Sequence, residues 1–436
     1  MSKKSTRSKA RRKLPKPEKP YEGFPMFAHP SGQWAKKIRK RLVYFGSWRD
    51  DRDGTAALER FNYEWPHLKD GRTPPPVDVS DGCTLRVLCN SFLQSKDAKL
   101  KDGDLSPRTF RDYFKTCEGL IDQFGKDRKI DDLRPDDFRE FRSKLAKRLS
   151  VVSLKNEINR VCIVFNYAHE TELIEKPVRY GQNFDRPSAK ALRRDRNQAG
   201  PKLFEREEIL RLLAVTEGKP DPESEEDDSQ AGKPNPVMRA MILLGINCGY
   251  GNTDVANLPQ KAVDFDEGWI EFPRPKTEIR RRNPLWPETI TALKAAIAIR
   301  PKPADATGRG LCFLTRCGRP WVRVKRKAKT GETGQSDGPE ISVPIDALSG
   351  QFTKLLRNLK INGRRGLGFY TLRHCFETYG GESKDQVAVN ALMGHVDSSM
   401  AGNYRHRISD ERLRAVVETV HDWLFPPIPE GQGGEK

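Results

Sequence analysis

A tyrosine, an arginine and a histidine near the C-terminus are of types that can transfer a phosphoryl group without a metal. The stretch from Gly368 to Tyr404 reads GFYTLRHCFETYGGESKDQVAVNALMGHVDSSMAGNY. It holds Tyr370 and Arg373 in a Tyr-Thr-Leu-Arg-His run, His395 in a Leu-Met-Gly-His turn, and Tyr404 nine residues after that histidine. Breaking a phosphodiester in this way requires a nucleophile, positive charge on the non-bridging oxygens and a proton for the departing oxygen. A phenol attacks phosphorus and keeps the strand as a covalent ester, which divides one hard step into two reversible ones. A guanidinium stays charged and presents a planar fork to phosphate, which suits it to charge that grows in the transition state. An imidazole titrates near neutral pH and either donates to the same phosphate or handles protons.

These motifs resemble the strand-transfer site of the tyrosine recombinases (phage integrases). In that family an H-x-L-R-H run opens a helix, an L-G-H turn follows, and the nucleophilic tyrosine comes nine residues after the histidine of that turn. The resemblance implies that Tyr404 attacks the scissile phosphate to give a 3′-phosphotyrosine and a free 5′-hydroxyl. It further implies that Arg373, His395 and Tyr370 hold the phosphate. Tyr370 stands at a position where the family usually has histidine. The run Pro275-Lys276-Thr277 falls where the family places a mobile lysine, so the resemblance gives Lys276 the role of acid to the leaving oxygen. The family's first catalytic arginine lies in T-G-x-R-x-x-E-L. Here the matching run is Cys248-Gly249-Tyr250-Gly251-Asn252-Thr253-Asp254-Val255, with Gly251 at the arginine position. Losing a preorganised donor of this kind typically costs about 10²–10³ in rate. Arg280, Arg281 and Arg282, on the next hairpin, are the candidates to compensate.

What the resemblance implies for function is a site-specific recombinase or integrase. Its partner would be double-stranded DNA and its assembly four protomers on two duplexes. The ester conserves the energy of the broken bond, so no cofactor and no metal are implied. An integrase-derived DNA-binding protein with weakened or no catalysis is the alternative that Gly251 raises. A type IB topoisomerase-like enzyme shares the nucleophile, and a basic structural protein unrelated to DNA shares only the charge.

Composition fits a polyanion partner. In 436 residues, 79 Lys and Arg stand against 60 acids, for a formal net charge of +19 and a pI near 9.5; an excess of this size favours nucleic acid. No run approaches the roughly 18 apolar residues of a spanning helix, so a membrane is not expected. The eight cysteines are scattered without a C-x-x-C pair, which argues against zinc and suits a reducing cytoplasm, with the protein on the nucleoid.

The expected fold class is mainly α with small β-sheets. Residues 1–20 form a basic tail too polar to bury a core. Residues 21–76 read as an arm-type DNA-binding module, a hairpin (residues 33–38 and 40–46) before a helix starting at Thr55, and end in the linker GRTPPP. Residues 84–183 read as a four-helix core-binding domain, with Ser106-Pro107 and Pro135-Asp136-Asp137 as helix starts. In it Lys144, Lys147, Arg148, Lys155 and Arg160 are phosphate-contact candidates. Residues 184–203 are a basic linker, with Arg193 and Arg194 placed to cross the DNA backbone. Residues 204–425 are expected to be a mixed α/β catalytic domain, and residues 426–436 a tail. Within it, residues 221–235 read as an acidic loop and residues 323–342 as a polar, basic excursion. The helix from Asp410 to Leu424 packs either on its own domain or on a neighbouring protomer.

Overall fold

Polar caps followed by proline or an apolar stripe set most helix starts in this chain. The computed structural model describes residues 15–39, 41–71, 82–223, 232–327, 341–361, 364–397, 399–404 and 407–427. Most of residues 1–20, 72–81, 224–231, 328–340 and 428–436 therefore fall outside it, and with them much of the tails, the linker, the acidic loop and the basic excursion.

Three strands, β1 (Phe27–Ala28), β2 (Gln33–Ile38) and β3 (Arg41–Ser47), form an antiparallel sheet in that order, backed by α1 (Thr55–Leu68). The sequence predicts two strands; β1 is too short to show an alternation and is recruited by pairing Phe27 with Ala35 and Ala28 with Trp34. Trp34, Ile38 and Phe45 pack towards α1 with Ala57 and Phe61. Leu42 and Tyr44 face outward instead, so the apolar pattern overstates the core here.

Next come α2 (Leu85–Lys101), α3 (Pro107–Phe124), α4 (Pro135–Arg148) and α5 (Val151–Glu170). Thr84, Ser106 and Ser150 each accept a hydrogen bond from a first-turn backbone N–H, which satisfies one of the donors that every helix start leaves open. Phe92, Phe138, Phe141, Val161 and Phe165 fill the core between them. The basic linker that follows is partly helical. Ser188 caps a helix, α6 (Ala189–Ala199), that buries no residue and exposes Arg193 and Arg194.

The largest core surrounds α8 (Pro236–Asn247), which is buried on every side from Ala240 to Asn247. Before it lies α7 (Arg206–Glu217), and after it α9 (Asn252–Ala256). A three-stranded antiparallel sheet follows, β4 (Val263–Asp264), β5 (Trp269–Glu271) and β6 (Arg282–Pro284), then α10 (Pro287–Ala298). Strands β7 (Val322–Lys327) and β8 (Ile341–Asp346) pair antiparallel, so both ends of the predicted excursion are strand. They lead to α11 (Ala347–Asn358), α12 (Thr371–Gly380), α13 (Gln386–Met393), α14 (Met400–Tyr404) and α15 (Asp410–Leu424). Helix α15 packs on its own chain. Leu413, Val416, Val417 and Val420 join the core, and Trp286 Nε1 donates to the Val417 carbonyl at 3.2 Å. The fold is mainly helical with small antiparallel sheets.

Candidate active site

Helix α8 delivers a tight turn to the base of the site. Gly249 has φ +62°, and a Cβ there would stand 2.7 Å from Phe376 Cδ1; only glycine meets both demands. The turn presents the Gly249 carbonyl to Arg373, the third residue of α12. Arg373 is 2 % exposed. Its Nη1 donates to the Gly249 carbonyl at 2.5 Å, and its Nη2 donates to the Met393 carbonyl at 2.8 Å and to His395 Nε2 at 2.9 Å.

That last contact fixes the state of the histidine. Arginine only donates, so Nε2 of His395 must accept and the ring is neutral, with its proton on Nδ1. Nδ1 then donates to Asn390 Oδ1 at 3.2 Å. Burial first, and the Arg373 charge second, hold the His395 pKa below its ordinary value of 6.5. The folded state therefore binds fewer protons than the unfolded chain. The stability due to neutral His395 is complete above the unfolded pKa and is lost as pH falls through the lower, folded one. Thermal unfolding followed from about pH 8 to pH 5 is expected to show a falling midpoint below 6.5, with a shallower fall in His395→Asn. His374, with its pKa also held down by burial, contributes a slope of the same sign to both proteins.

Gly394, at φ +63°, closes α13 in the left-handed conformation and aims His395 at Arg373. The tip of the β5–β6 hairpin docks on this turn. Arg274 Nη1 and Thr277 Oγ1 both donate to the Gly394 carbonyl, at 3.3 and 3.2 Å. A Cβ on Gly394 would lie 2.9 Å from Arg281 Cδ and 3.0 Å from Arg274 Cβ, so the close approach depends on glycine.

The predicted compensating cations differ in fate. Arg281 turns inward and is 3 % exposed. It donates to Asp254 Oδ1 at 3.1 Å and to the Phe272 carbonyl at 3.0 Å, and lies 4.2 Å over the Tyr250 ring. Among the described residues its Nη1 has no hydrogen-bond partner. Arg282 is held by Asp410 and Glu271 and stacks over Trp269 at 4.1 Å. Arg280 is exposed. All three line a cleft of about 710 Å³ with His395, Asp397 and Arg407. Asp254 also accepts the Gly251 N–H at 2.8 Å, so it joins the turn to the hairpin. Removing one partner of a buried pair leaves an uncompensated charge, which costs roughly 3–5 kcal/mol. Asp254→Ala is expected to destabilise the protein by about that much in urea unfolding.

The two departures from the family pattern touch each other. A Cβ on Gly251 would stand 2.9 Å from Tyr370 Cε2 and 3.1 Å from Cδ2. The Tyr370 ring thus occupies the space through which a longer side chain at Gly251 would leave the turn. Tyr370 keeps 46 % of its surface exposed. Lys276 is exposed at the hairpin tip. Tyr404 ends α14 at 76 % exposure, and among the described residues its hydroxyl has no hydrogen-bond partner. The structure therefore joins Arg373 to His395 and lays Tyr370 beside them. It leaves Lys276 and Tyr404 as exposed groups on neighbouring segments. Arg274 was not legible as a site residue, although it lies two positions before Lys276 in the same turn.

Among the predicted phosphate contacts, Lys147, Arg148, Arg193 and Arg194 are exposed. Lys144 pairs with Glu140 at 2.8 Å on the surface, and Lys155 is half-buried. Arg160 is turned into the helical bundle, where Glu157 at 2.5 Å and Thr116 at 3.2 Å engage it; an arginine held this way is not a free phosphate contact. Among the described residues no helix is long and apolar enough to cross a membrane.

No family model matches the chain. It is 27 % identical over 252 residues to the tyrosine recombinase XerD of Caulobacter vibrioides, a match covering 55 % of this chain and 68 % of that protein. In fold it is similar to the Tn1549 transposon integrase (residues 82–397) in complex with transposon right end DNA. That match has a TM-score of 0.52 and 17 % identity, and covers 77 % of this chain and 99 % of the integrase. It is similar also to a lambda integrase tetramer bound to a Holliday junction, with TM-score 0.51, 13 % identity and coverage of 88 % and 97 %. The chain has the integrase fold, and its likeness to the tyrosine recombinase family holds in sequence as well.

Proposed function

We propose, from the sequence and fold that this chain shares with the tyrosine recombinases and integrases, that it is a DNA strand transferase acting through a 3′-phosphotyrosine on Tyr404. The Tyr404 oxygen forms a bond to phosphorus as the bond to the 5′-oxygen breaks. The phenol gives up one proton and the leaving oxygen takes one, supplied by Lys276. With phosphate bound, the Arg373 fork holds it together with His395, whose Nε2 gives up its contact with Arg373 and takes a proton to donate, and Tyr370 donates from its hydroxyl. Reversal with a different 5′-hydroxyl rejoins the strands. The DNA in the structures it resembles supports duplex DNA as the substrate, and the lambda integrase tetramer on a Holliday junction supports a homotetramer on two duplexes as the assembly, within the cytoplasm. Residues 21–76, 84–183 and 184–203 would serve as arm-type module, core-binding domain and DNA-crossing segment before the catalytic domain, 204–425.

One observation carries this reading. Among the described residues, a buried guanidinium with no carboxylate partner is fixed against a neutral histidine, and the tyrosine nine residues further on is exposed. A structural arginine would be neutralised, as Arg281 is by Asp254. The test is to incubate the protein with a library of duplex DNA fragments, quench in detergent and partition into phenol. DNA should follow the protein into the organic phase, and sequencing that DNA gives the target. A reading without cleavage is favoured by Gly251, which removes one family guanidinium; it predicts salt-sensitive binding with no detergent-resistant complex. A topoisomerase-like activity would instead relax supercoiled plasmid without joining two duplexes.

A further inference from the structure

The site as the family pattern describes it has one fixed guanidinium, and the space beside Gly251 is filled by Tyr370. We propose that Arg274 supplies the second guanidinium on the transferred phosphate, from the hairpin and not from the α8 turn. The proposal rests on the strand-transfer reading above and adds a residue to it.

Arg373 and Arg274 are anchored on successive carbonyls of one turn. Arg373 donates to the Met393 carbonyl at 2.8 Å and Arg274 to that of Gly394 at 3.3 Å, and the next residue is His395. Two like charges are thereby held on the same few atoms of backbone. Arg274 is the charged group with the largest effect on Arg373, and its charge acts on His395 as well. Among the described residues neither arginine has a carboxylate within ion-pair distance. Repulsion between two close cations in a partly buried place is relieved when an anion lies between them. A phosphate diester carries one charge in the ground state and gains more in the transition state, so both forks stabilise the latter preferentially.

The other cations of the hairpin are less suited. Arg281 is committed to Asp254 and Phe272, Arg282 to Asp410 and Glu271, and among the described residues Arg280 has no anchor that would hold its fork in place. Arg274 is half-buried with a single donor engaged, which leaves the rest of its N–H groups for a ligand. Its place on the hairpin that carries Lys276 also couples the two groups. When the hairpin tip sits on Gly394, the cation for the non-bridging oxygen and the acid for the leaving oxygen arrive together.

The experiment uses the full chain and a synthetic nicked duplex built on a sequence recovered from the parent's own covalent adducts. Two forms are compared, one with an ordinary scissile phosphate and one with a methylphosphonate, in which a neutral methyl replaces a charged oxygen. Arg274→Ala is expected to form adduct about 10²–10³ more slowly than the parent on phosphate, and to approach the parent rate on methylphosphonate, where the charge it neutralises is absent. Arg274→Gln keeps a donor for the Gly394 carbonyl without the charge, and should behave like Arg274→Ala while melting with the parent. Parent-like rates on phosphate for both variants would overturn the proposal and leave the function standing. So would equal losses on both substrates, which would mark a structural role. If the parent gives no adduct on any DNA, the strand-transfer reading itself fails and the role of Arg274 goes with it.

Discussion

Tyr404→Phe is expected to bind DNA as the parent does and to form no detergent-resistant complex at all. The substitution removes one oxygen from a side chain that is 76 % exposed and, among the described residues, has no hydrogen bond to lose. Folding has no stake in that oxygen, so melting temperature and salt-dependent DNA affinity should be unchanged. Chemistry has everything at stake, because no other atom of the side chain can bond to phosphorus. Gel-shift and phenol-partition assays on the same preparation separate the two. A variant that still carried DNA into phenol would move the nucleophile elsewhere.

Arg373→Ala is the second large effect, and here activity and folding both respond. The side chain stabilises the developing charge, and losing such a donor costs about 10²–10³ in rate. It also pins the Gly249 turn, the Met393 carbonyl and His395 to one point. Leaving buried carbonyls without their donor costs roughly 1–3 kcal/mol each, offset in part by no longer burying a charge. Arg373→Lys separates these roles. It keeps the charge but lacks the planar fork that reaches three acceptors, so adduct formation should stay well below the parent even where stability recovers. Single-turnover adduct rates set beside urea unfolding would show this, and a lysine variant as fast as the parent would contradict it.

Much of this was legible in the chain because it rests on local chemistry. Gly394 at the end of an apolar helix announces a left-handed cap, and the cap is what aims His395. Ser106-Pro107 and Pro135-Asp136 mark helix starts through short-range capping. The failures share a cause, which is that they are decided by distant neighbours. Strand β1 exists only through pairing with β2. Arg160 looks like any surface cation paired with Glu157 of its own helix until Thr116, from α3, is brought to it. Arg281 and Arg282 read as one basic run, yet the backbone entering β6 sends one over Tyr250 and the other over Trp269. Arg274 stayed hidden because its meaning comes from a turn that lies far along the sequence. The two departures, Gly251 and Tyr370, are visible separately in sequence, and only the fold shows that one ring fills the space next to the other.

The most direct measurement is to locate the covalent bond. The parent protein is reacted with duplex fragments, denatured, and digested with nuclease and protease, and the peptide that retains nucleotide is identified by mass spectrometry. The account predicts a single peptide, with a 3′-linked phosphate on the Tyr404 oxygen. A nucleotide on any other side chain, or none on any peptide after prolonged reaction with DNA that the protein binds, would contradict it.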